Sequence, residues 1–356
     1  MTPPPPEDAD DEGSNILDII HGHWQAAGLA AGVTHGVFDA LAGGPLTSAD
    51  VARSCRLPVS NATLLLEGLV GMGVLETSGV GATSRYRNTS AANRYLVPGT
   101  PEYLGDLALT LTDTGGSWRL WDGFAASVAM SATERDTVGP PPDFDNDAYK
   151  LGIANAIIPL TRRAAGLTVE RLIADGVPVH RILDVGGGSG VFAETLLHAY
   201  PNATALQVDY PRINRQARER LDRTPVSGRF ETLDGQFPDV PLDDRFDLVL
   251  YSGYSHQLGE AQNRMQLQAC ARLLADGGHL VFHDYVSTDD GTKDPSRITS
   301  LNWLLVGFGQ VWPLATVADW LTACGLEVKW TRPTGLWMTL VVAGRTHCDA
   351  HRSQRE

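Results

Sequence analysis

The chain has 356 residues, enough for a large domain and a smaller one, and its 43% hydrophobic content is that of ordinary globular cores rather than of disorder. With 28 basic against 42 acidic side chains the formal charge is -14, which argues against nucleic acid or an anionic membrane as partner, because binding a polyanion means neutralising phosphates; a small-molecule substrate fits better. Cys55, Cys270, Cys324 and Cys348 are widely spaced with no C-x-x-C pair, and the sequence contains neither a signal peptide nor 18 consecutive apolar residues, so the expectation is reduced thiols, no membrane span and a cytoplasmic location.

Met1 to Ser14, rich in proline and acid, reads as a disordered tail. From Asn15 the pattern is helical: Ile16, Ile19, Ile20, Trp24 and Ala27 recur at three- and four-residue steps, and Val33 to Leu41 repeats the habit. Thr47-Ser-Ala-Asp50 resembles a capping box opening a short helix, and Ser60 is expected to cap the next one, in which Leu65, Leu69 and Met72 share a face. Gly73 to Glu76 and Arg85 to Asn88, separated by a Gly/Ser-rich turn, read as two strands of a wing, so residues 15–112 form a mostly helical winged-helix domain. No lysine or arginine lies between Arg56 and Arg85, where a recognition helix would need phosphate contacts, whereas Glu67 and Glu76 do; the helix is expected to face protein. His21 and His23 lack further ligands at suitable spacing, and no metal is expected.

Tyr95 to Thr112 reads as a linking helix, and Trp118 and Trp121 share one helical face, as core residues or as ligand contacts. The proline- and aspartate-rich stretch Thr137 to Asp147 is expected to be an exposed connection that caps a cleft, and a long helix from Ala148 to Ala174 leads into a sheet. The strands expected are Arg181 to Val185, Ala203 to Asp209, Arg229 to Leu233, Arg245 to Tyr251 and His279 to Asp284, alternating with helices at Val191 to Leu197, Ile213 to Leu221 and Ala261 to Leu274. Gly277-Gly278 is read as a turn, and Leu326 to Arg332 with Leu336 to Val342 as a terminal hairpin around Pro333-Thr-Gly335. The fold class expected for residues 113–345 is therefore α/β, a doubly wound sheet with a terminal antiparallel hairpin and a ligand site beyond the carboxyl ends of its strands; 346–356 is a polar tail, whose His347, Cys348 and His351 are read as unstructured.

Arg181-Ile-Leu-Asp-Val-Gly-Gly-Gly-Ser-Gly190 is the stretch that identifies the ligand: an apolar strand, a glycine turn and a helix N-terminus, with Asp209 ending the next strand where a carboxylate accepts ribose hydroxyls. Gly188-Ser-Gly190-Val-Phe-Ala193 also satisfies the loose form of a dinucleotide fingerprint, so an NAD enzyme remains the alternative. Asp184 favours S-adenosylmethionine: a carboxylate there repels a pyrophosphate but acts through water on the ammonium of a methionine moiety. The terminal hairpin points the same way, since a dinucleotide half-sheet does not need one. Asp234 ends the third strand, where it either accepts from an adenine amino group or is a plain loop carboxylate. Methyl transfer to a hydroxyl needs a proton acceptor opposite the methyl, and His256, after the fourth strand, is the candidate base; Asp284, ending the fifth, is the candidate orienting carboxylate, with His283 on the other side of that strand as a structural residue.

On these residues the chain resembles the S-adenosylmethionine-dependent small-molecule O-methyltransferases with an N-terminal winged-helix dimerisation domain, the class I group that includes caffeate-type and polyketide-tailoring enzymes of secondary metabolism and antibiotic biosynthesis. The resemblance runs from about Ile16 to Arg345 and implies that Gly186, Gly188 and Asp209 hold the donor, that Asp234 meets its adenine, that His256 is the general base supported by Asp284, and that two chains pair through the N-terminal domain. Asp184, Tyr210, Phe237 and Ser252 are assigned to the same cofactor site. Two features depart from the family: Gln257-Leu-Gly-Glu260 follows the histidine where Asp-Trp is usual, and Val311 stands where a second glutamate is expected. Carbon or nitrogen methylation is therefore an alternative, and a ligand-sensing winged-helix regulator is one of another class. Trp118, Trp121, Phe124, Asn155, Ile158, Asn302, Trp303, Phe308 and Trp312 are the candidate walls of an acceptor pocket, whose many rings and few charges suit a flat aromatic or polyketide-like molecule.

Overall fold

The computed structural model describes residues 11–113, 117–131, 134, 146–287, 294–306 and 309–345. Contacts divide the chain into two compact units, residues 1–118 and 119–356, a little beyond the boundary expected at Thr112. The expected cleft cap lies largely outside the described residues, as do Phe308 and the polar tail. No helix among the described residues is long and apolar enough to cross a membrane.

In the first unit helix already begins at Asp11, inside the stretch expected to be a tail, and runs to Ile20; Gly22–Thr34 follows, with Val37–Ala40 entered through left-handed Gly36. Ile16, Ile19, Ile20 and Trp24 are helical as their spacing requires, yet 56 to 68% exposed, with Trp24 stacked on His21 at 4.3 Å. Thr47 caps the helix Ser48–Cys55, its Oγ1 accepting from the Asp50 N–H at 3.2 Å. Ser60 does not cap the next helix, Val59–Gly71: Pro58 occupies that place, preset for it by its fixed φ, and the Ser60 hydroxyl donates to Asn61 instead. β1 (Leu46–Thr47), β2 (Leu75–Ser78) and β3 (Arg85–Asn88) make a three-stranded wing, one strand more than expected, because two residues are too few to show a period. Val37, Phe38, Leu41, Val51, Leu66, Leu69, Leu75 and Tyr86 close the core beneath it. The expected helix from Tyr95 to Thr112 is interrupted: Ser90–Tyr95 and Gly105–Leu111 flank Pro98, left-handed Gly99 and Pro101, none of which suits a helix interior.

The second unit is built on β4 (Arg181–Val185), β5 (Thr204–Asp209), β6 (Phe230–Asp234), β7 (Phe246–Ser252), β8 (Leu274–Ser287), β9 (Trp312–Pro313), β10 (Leu326–Gly335) and β11 (Met338–Arg345). They are ordered β10-β11-β8-β7-β4-β5-β6, with β9 against the end of β8; β6 through β8 pair in parallel, and the last two strands add the antiparallel hairpin. The central strands read as continuous apolar runs because both faces are covered: Leu183, Val185, Val249, Tyr251 and Phe282 pack with Leu267 and Trp320 on one side, Ile182, Leu248, Leu250 and Val281 with Phe192, Leu196 and Leu172 on the other. From β4 the chain steps one way to β5 and β6, then returns to the other side of β4 as β7. That reversal opens a crevice at the carboxyl ends of β4 and β7.

Three boundaries differ from expectation. The long helix is two, Asn146–Ala156 and Ile158–Ala174, broken at Ile157 because Pro159 has no N–H to continue the ladder. Gly277-Gly278 does not separate a helix from a strand; β8 runs through it, with left-handed Gly277 at the irregularity where its pairing with β7 shifts register. The hairpin turns at Leu336-Trp337, both at positive φ (53° and 68°), with Pro333 to Gly335 inside β10. That turn chemistry is normally glycine's, which is why the sequence pointed to the wrong residues.

Candidate active site

The turn after β4 demands glycine. Gly186, Gly188 and Gly190 have φ of 66°, 59° and 73°, where side chains are strained, and a Cβ on Gly187 would stand 2.5 Å from Gln207 Oε1 and 2.7 Å from the Asp184 carboxyl. The turn is tied to β5 at three points: Gly186 N–H donates to Val208 O (2.9 Å), Gly188 N–H to Asp209 Oδ2 (2.9 Å), and Gln207 Nε2 to Gly188 O (3.2 Å). Asp209 Oδ1 accepts from the Tyr210 N–H at 2.8 Å. Each Asp209 oxygen thus keeps capacity to accept a further hydroxyl. Burial raises the pKa of Asp209, opposed by those two N–H donors and by Lys150.

Gly186, Val208, Asp209, Tyr210, Gly235, Gln236, Phe237 and Tyr254 line a cleft beside this turn. Four of them were expected. Asp234 lies level with Asp209 across β5 and β6 and is exposed, its Oδ1 accepting from Asn214 Nδ2 at 2.8 Å. Asn214 Nδ2 also reaches Asp209 O and Leu233 O, both at 3.0 Å, and its Oδ1 accepts from Gln207 at 3.1 Å, so two fully buried amides hold the turn, β5 and β6 together. Neither was singled out from sequence. For Gln207 the legible signal was an amide in a strand that is otherwise apolar, as buried polar groups are retained only when bonded; Asn214, in a polar helix, gave none. Lys150, whose Nζ is 5.4 Å from the Tyr210 ring centroid, gave no such signal.

Asp184 is 1% exposed, under the turn rather than on the cleft wall, and among the described residues neither oxygen meets a donor at full bonding geometry. Burial, then the nearby Asp209 carboxylate, pushes its pKa up to about 7, opposed by the backbone N–H of Ala193. A left-handed glycine cradle that side chains would fill, over an unsatisfied buried carboxylate, fits a cationic nucleoside and opposes a pyrophosphate.

The other end of the crevice is set by β7 and β8. Ser255–Gln257 is a single 3-10 turn after β7, and Asn263 fixes it: its Nδ2 donates to Ser255 O, Leu258 O and Gly259 O (3.0 to 3.2 Å), while its Oδ1 accepts from Tyr251 Oη at 3.0 Å. A Cβ at Gly309 would lie 2.0 Å from His256 O, so only glycine lets that segment pass. His256 Nδ1 lies 2.5 Å from Asp284 Oδ1, and the carboxylate also accepts from the N–H groups of His256 (3.2 Å) and Tyr285 (2.7 Å). An acceptor-only carboxylate holds the proton on Nδ1 and leaves the Nε2 lone pair bare, the arrangement of a general base. The Trp303 ring lies 4.0 Å from the imidazole centroid and Tyr285 5.5 Å.

His283 faces away from Asp284, between Ser252 Oγ (3.0 Å) and Thr334 Oγ1 (3.3 Å), and burial depresses its pKa to about 4. Gln257 Nε2 donates to Gly253 O, and Val311, which stands where a glutamate is usual, is buried. Of the proposed acceptor walls, Trp303 stands over His256, Asn302 reaches Tyr149, and the helix carrying Phe124 packs on theirs. Trp121 is exposed against Phe124, Asn155 is exposed and Ile158 half-buried. Trp312 is a core residue, edge-on to Trp320 with its N–H toward Ser255 O. Trp118 ends the first unit, half-buried. Tyr149 and Tyr285 were missed, being single phenols in otherwise ordinary helix and strand patterns.

A model of an O-methyltransferase domain matches residues 162–326, and one of an O-methyltransferase dimerisation domain matches residues 17–98. The chain is 31% identical to a 3-hydroxy-5-methyl-1-naphthoate 3-O-methyltransferase of Streptomyces sahachiroi over 336 residues, 92% of this chain and 94% of the other. It is 28% identical to an N,N-dimethyltransferase, OxyT, of Streptomyces rimosus, over 83% of this chain and 85% of the other. Human N-acetylserotonin methyltransferase, solved in complex with SAM, superposes with a TM-score of 0.76 at 22% identity, covering 95% of this chain and 99% of that one.

Proposed function

The chain belongs to the O-methyltransferase family that carries an N-terminal dimerisation domain, and is an S-adenosylmethionine-dependent methyltransferase; from that premise we propose that it methylates a hydroxyl of an aromatic, polyketide-like acceptor. The observation that carries the reading is the buried His256–Asp284 pair at the carboxyl end of β7, next to the glycine turn. When bound, the donor supplies a methyl group on a positively charged sulfur. Gly186, Gly188, Asp209, Tyr210 and Phe237 bind and orient it, with Asp209 accepting from ribose hydroxyls and Asp234 from the adenine amino group. Positioning alone supplies much of the acceleration, with effective molarities on the order of 10⁵ M or more. His256 takes the acceptor's hydroxyl proton on Nε2, and Asp284 stabilises the imidazolium so formed before it returns the proton to solvent. Trp303 and Tyr285 give the acceptor an aromatic seat beside that nitrogen.

Two chains pair through the N-terminal unit, where Ile16, Ile19, Ile20 and Trp24 offer an exposed apolar stripe. The enzyme works in the cytoplasm, in keeping with the free Cys55, Cys270 and Cys324, and has no nucleic-acid partner, in keeping with a charge of -14. Transfer to an amine nitrogen is the second reading, favoured by Val311 in place of a carboxylate and by the likeness to OxyT.

Methyl-labelled S-adenosylmethionine incubated with the chain and a panel of hydroxynaphthoates and matching aminonaphthoates is expected to label the hydroxy acids. Label confined to the amines would transfer the conclusion to the second reading.

A further inference from the structure

We infer that Ser252 presents to the sulfonium end of the donor a hydroxyl oxygen locked as an acceptor, and that His283 and Thr334 are the positioning residues that lock it; the inference rests on the donor reading above. Tyr251 lies opposite Val185 in the pairing of β7 with β4, so Ser252, the next residue, stands beside the turn at Gly186, and Tyr254 just beyond it lines the cleft. Ser252 is half-buried and in register with His283 on β8, which is 1% exposed.

Proton bookkeeping gives the chain of contacts its direction. The Thr334 hydroxyl has one proton and two carbonyls that can only accept it, Met338 O at 3.1 Å and Gly335 O at 3.5 Å. With that proton given to a carbonyl, Thr334 Oγ1 accepts from His283 Nε2 at 3.3 Å, which places the imidazole proton on Nε2. A neutral imidazole has a single N–H, so Nδ1 is bare and the Ser252 hydroxyl donates to it at 3.0 Å. With its proton spent inward, the Ser252 oxygen offers only lone pairs to the crevice. Such an oxygen attracts the polarised C–H groups around a positive sulfur and gains little from a neutral thioether. Adjacent residues of β8 point to opposite faces, so one strand serves both reactants: Asp284 orients the base and His283 polarises the seat of the donor.

Calorimetric titration of the full chain with S-adenosylmethionine and, separately, S-adenosylhomocysteine tests this. Ser252→Ala is expected to weaken the sulfonium ligand about tenfold and the thioether by less than about twofold. Thr334→Val keeps the shape but removes the acceptor for Nε2–H; ¹⁵N spectra of the imidazole should move to the Nδ1–H form, with the same selective loss. Equal weakening of both ligands, an unchanged ratio, or an Nε2–H imidazole persisting in Thr334→Val would overturn the inference. Wild-type protein that binds neither ligand would overturn the donor reading itself.

Discussion

A His256→Ala protein is expected to turn over its phenolic acceptor about 10² to 10⁴ times more slowly than the wild type, the usual worth of a positioned general base. Its affinity for S-adenosylhomocysteine should stay within about twofold, since His256 is not among the residues lining the donor cleft. The reason lies in the proton: without Nε2 the hydroxyl must lose it to water in a site built from Trp303, Tyr285 and buried backbone. Asp284→Asn serves as the companion. The amide can donate to Nδ1 and so reverse the tautomer, turning an N–H toward the acceptor in place of a lone pair, and the rate should fall although the ring remains. Steady-state kinetics on both variants, beside calorimetry with the demethylated nucleoside, separates chemistry from binding. Unchanged turnover in His256→Ala would remove this residue from the mechanism and leave positioning as the whole of the catalysis.

Donor affinity should climb with pH until about 7 and then level off, and Asp184 is the cause. Its pKa is raised to about 7, by burial first and by Asp209 second, against an ordinary carboxyl value of 3.8. A raised acid stabilises the folded chain fully below its unfolded pKa and loses that stability as pH rises through its folded one. The ligand-free protein should thus lose up to about 1.4 kcal/mol per pH unit from this group between 3.8 and about 7. A bound cation reverses the preference, since it favours the ionised carboxylate and expels the proton. Affinity for S-adenosylmethionine should then rise by as much as about tenfold per pH unit below 7, with proton release visible as a buffer-dependent binding enthalpy. Asp184→Asn should flatten both the stability and the affinity profile. A steep profile surviving in that variant would assign the titration to another group, Asp209 first among them.

What the sequence disclosed and what it hid follow from range. The β4 run, the glycine turn and Asp209 were legible because strand, turn and acid lie within one short stretch and each has its own local rule. His256 and Asp284 were legible as strand-end residues, but their 2.5 Å contact is made by the pairing of β7 with β8, which no local pattern states. The acceptor walls were read least well. Aromatic residues satisfy a core and a pocket equally, so Trp303 stands over His256 whereas Trp312 packs on Trp320, and nothing in their spacing tells them apart. The helix breaks at Pro159 and between Pro98 and Pro101 are local effects of proline, which the apolar spacing on either side does not show. Leu336-Trp337, by contrast, turns the hairpin without any turn-forming residue.

The central claim, that Asp209 and the glycine turn over the buried Asp184 hold a sulfur nucleoside and not a pyrophosphate, is tested most directly by titrating the wild-type chain in a calorimeter with S-adenosylhomocysteine and with NAD. Saturable heat with the nucleoside, one site per chain, and none with the dinucleotide is the expected result. Saturable heat with NAD and none with S-adenosylhomocysteine would contradict it.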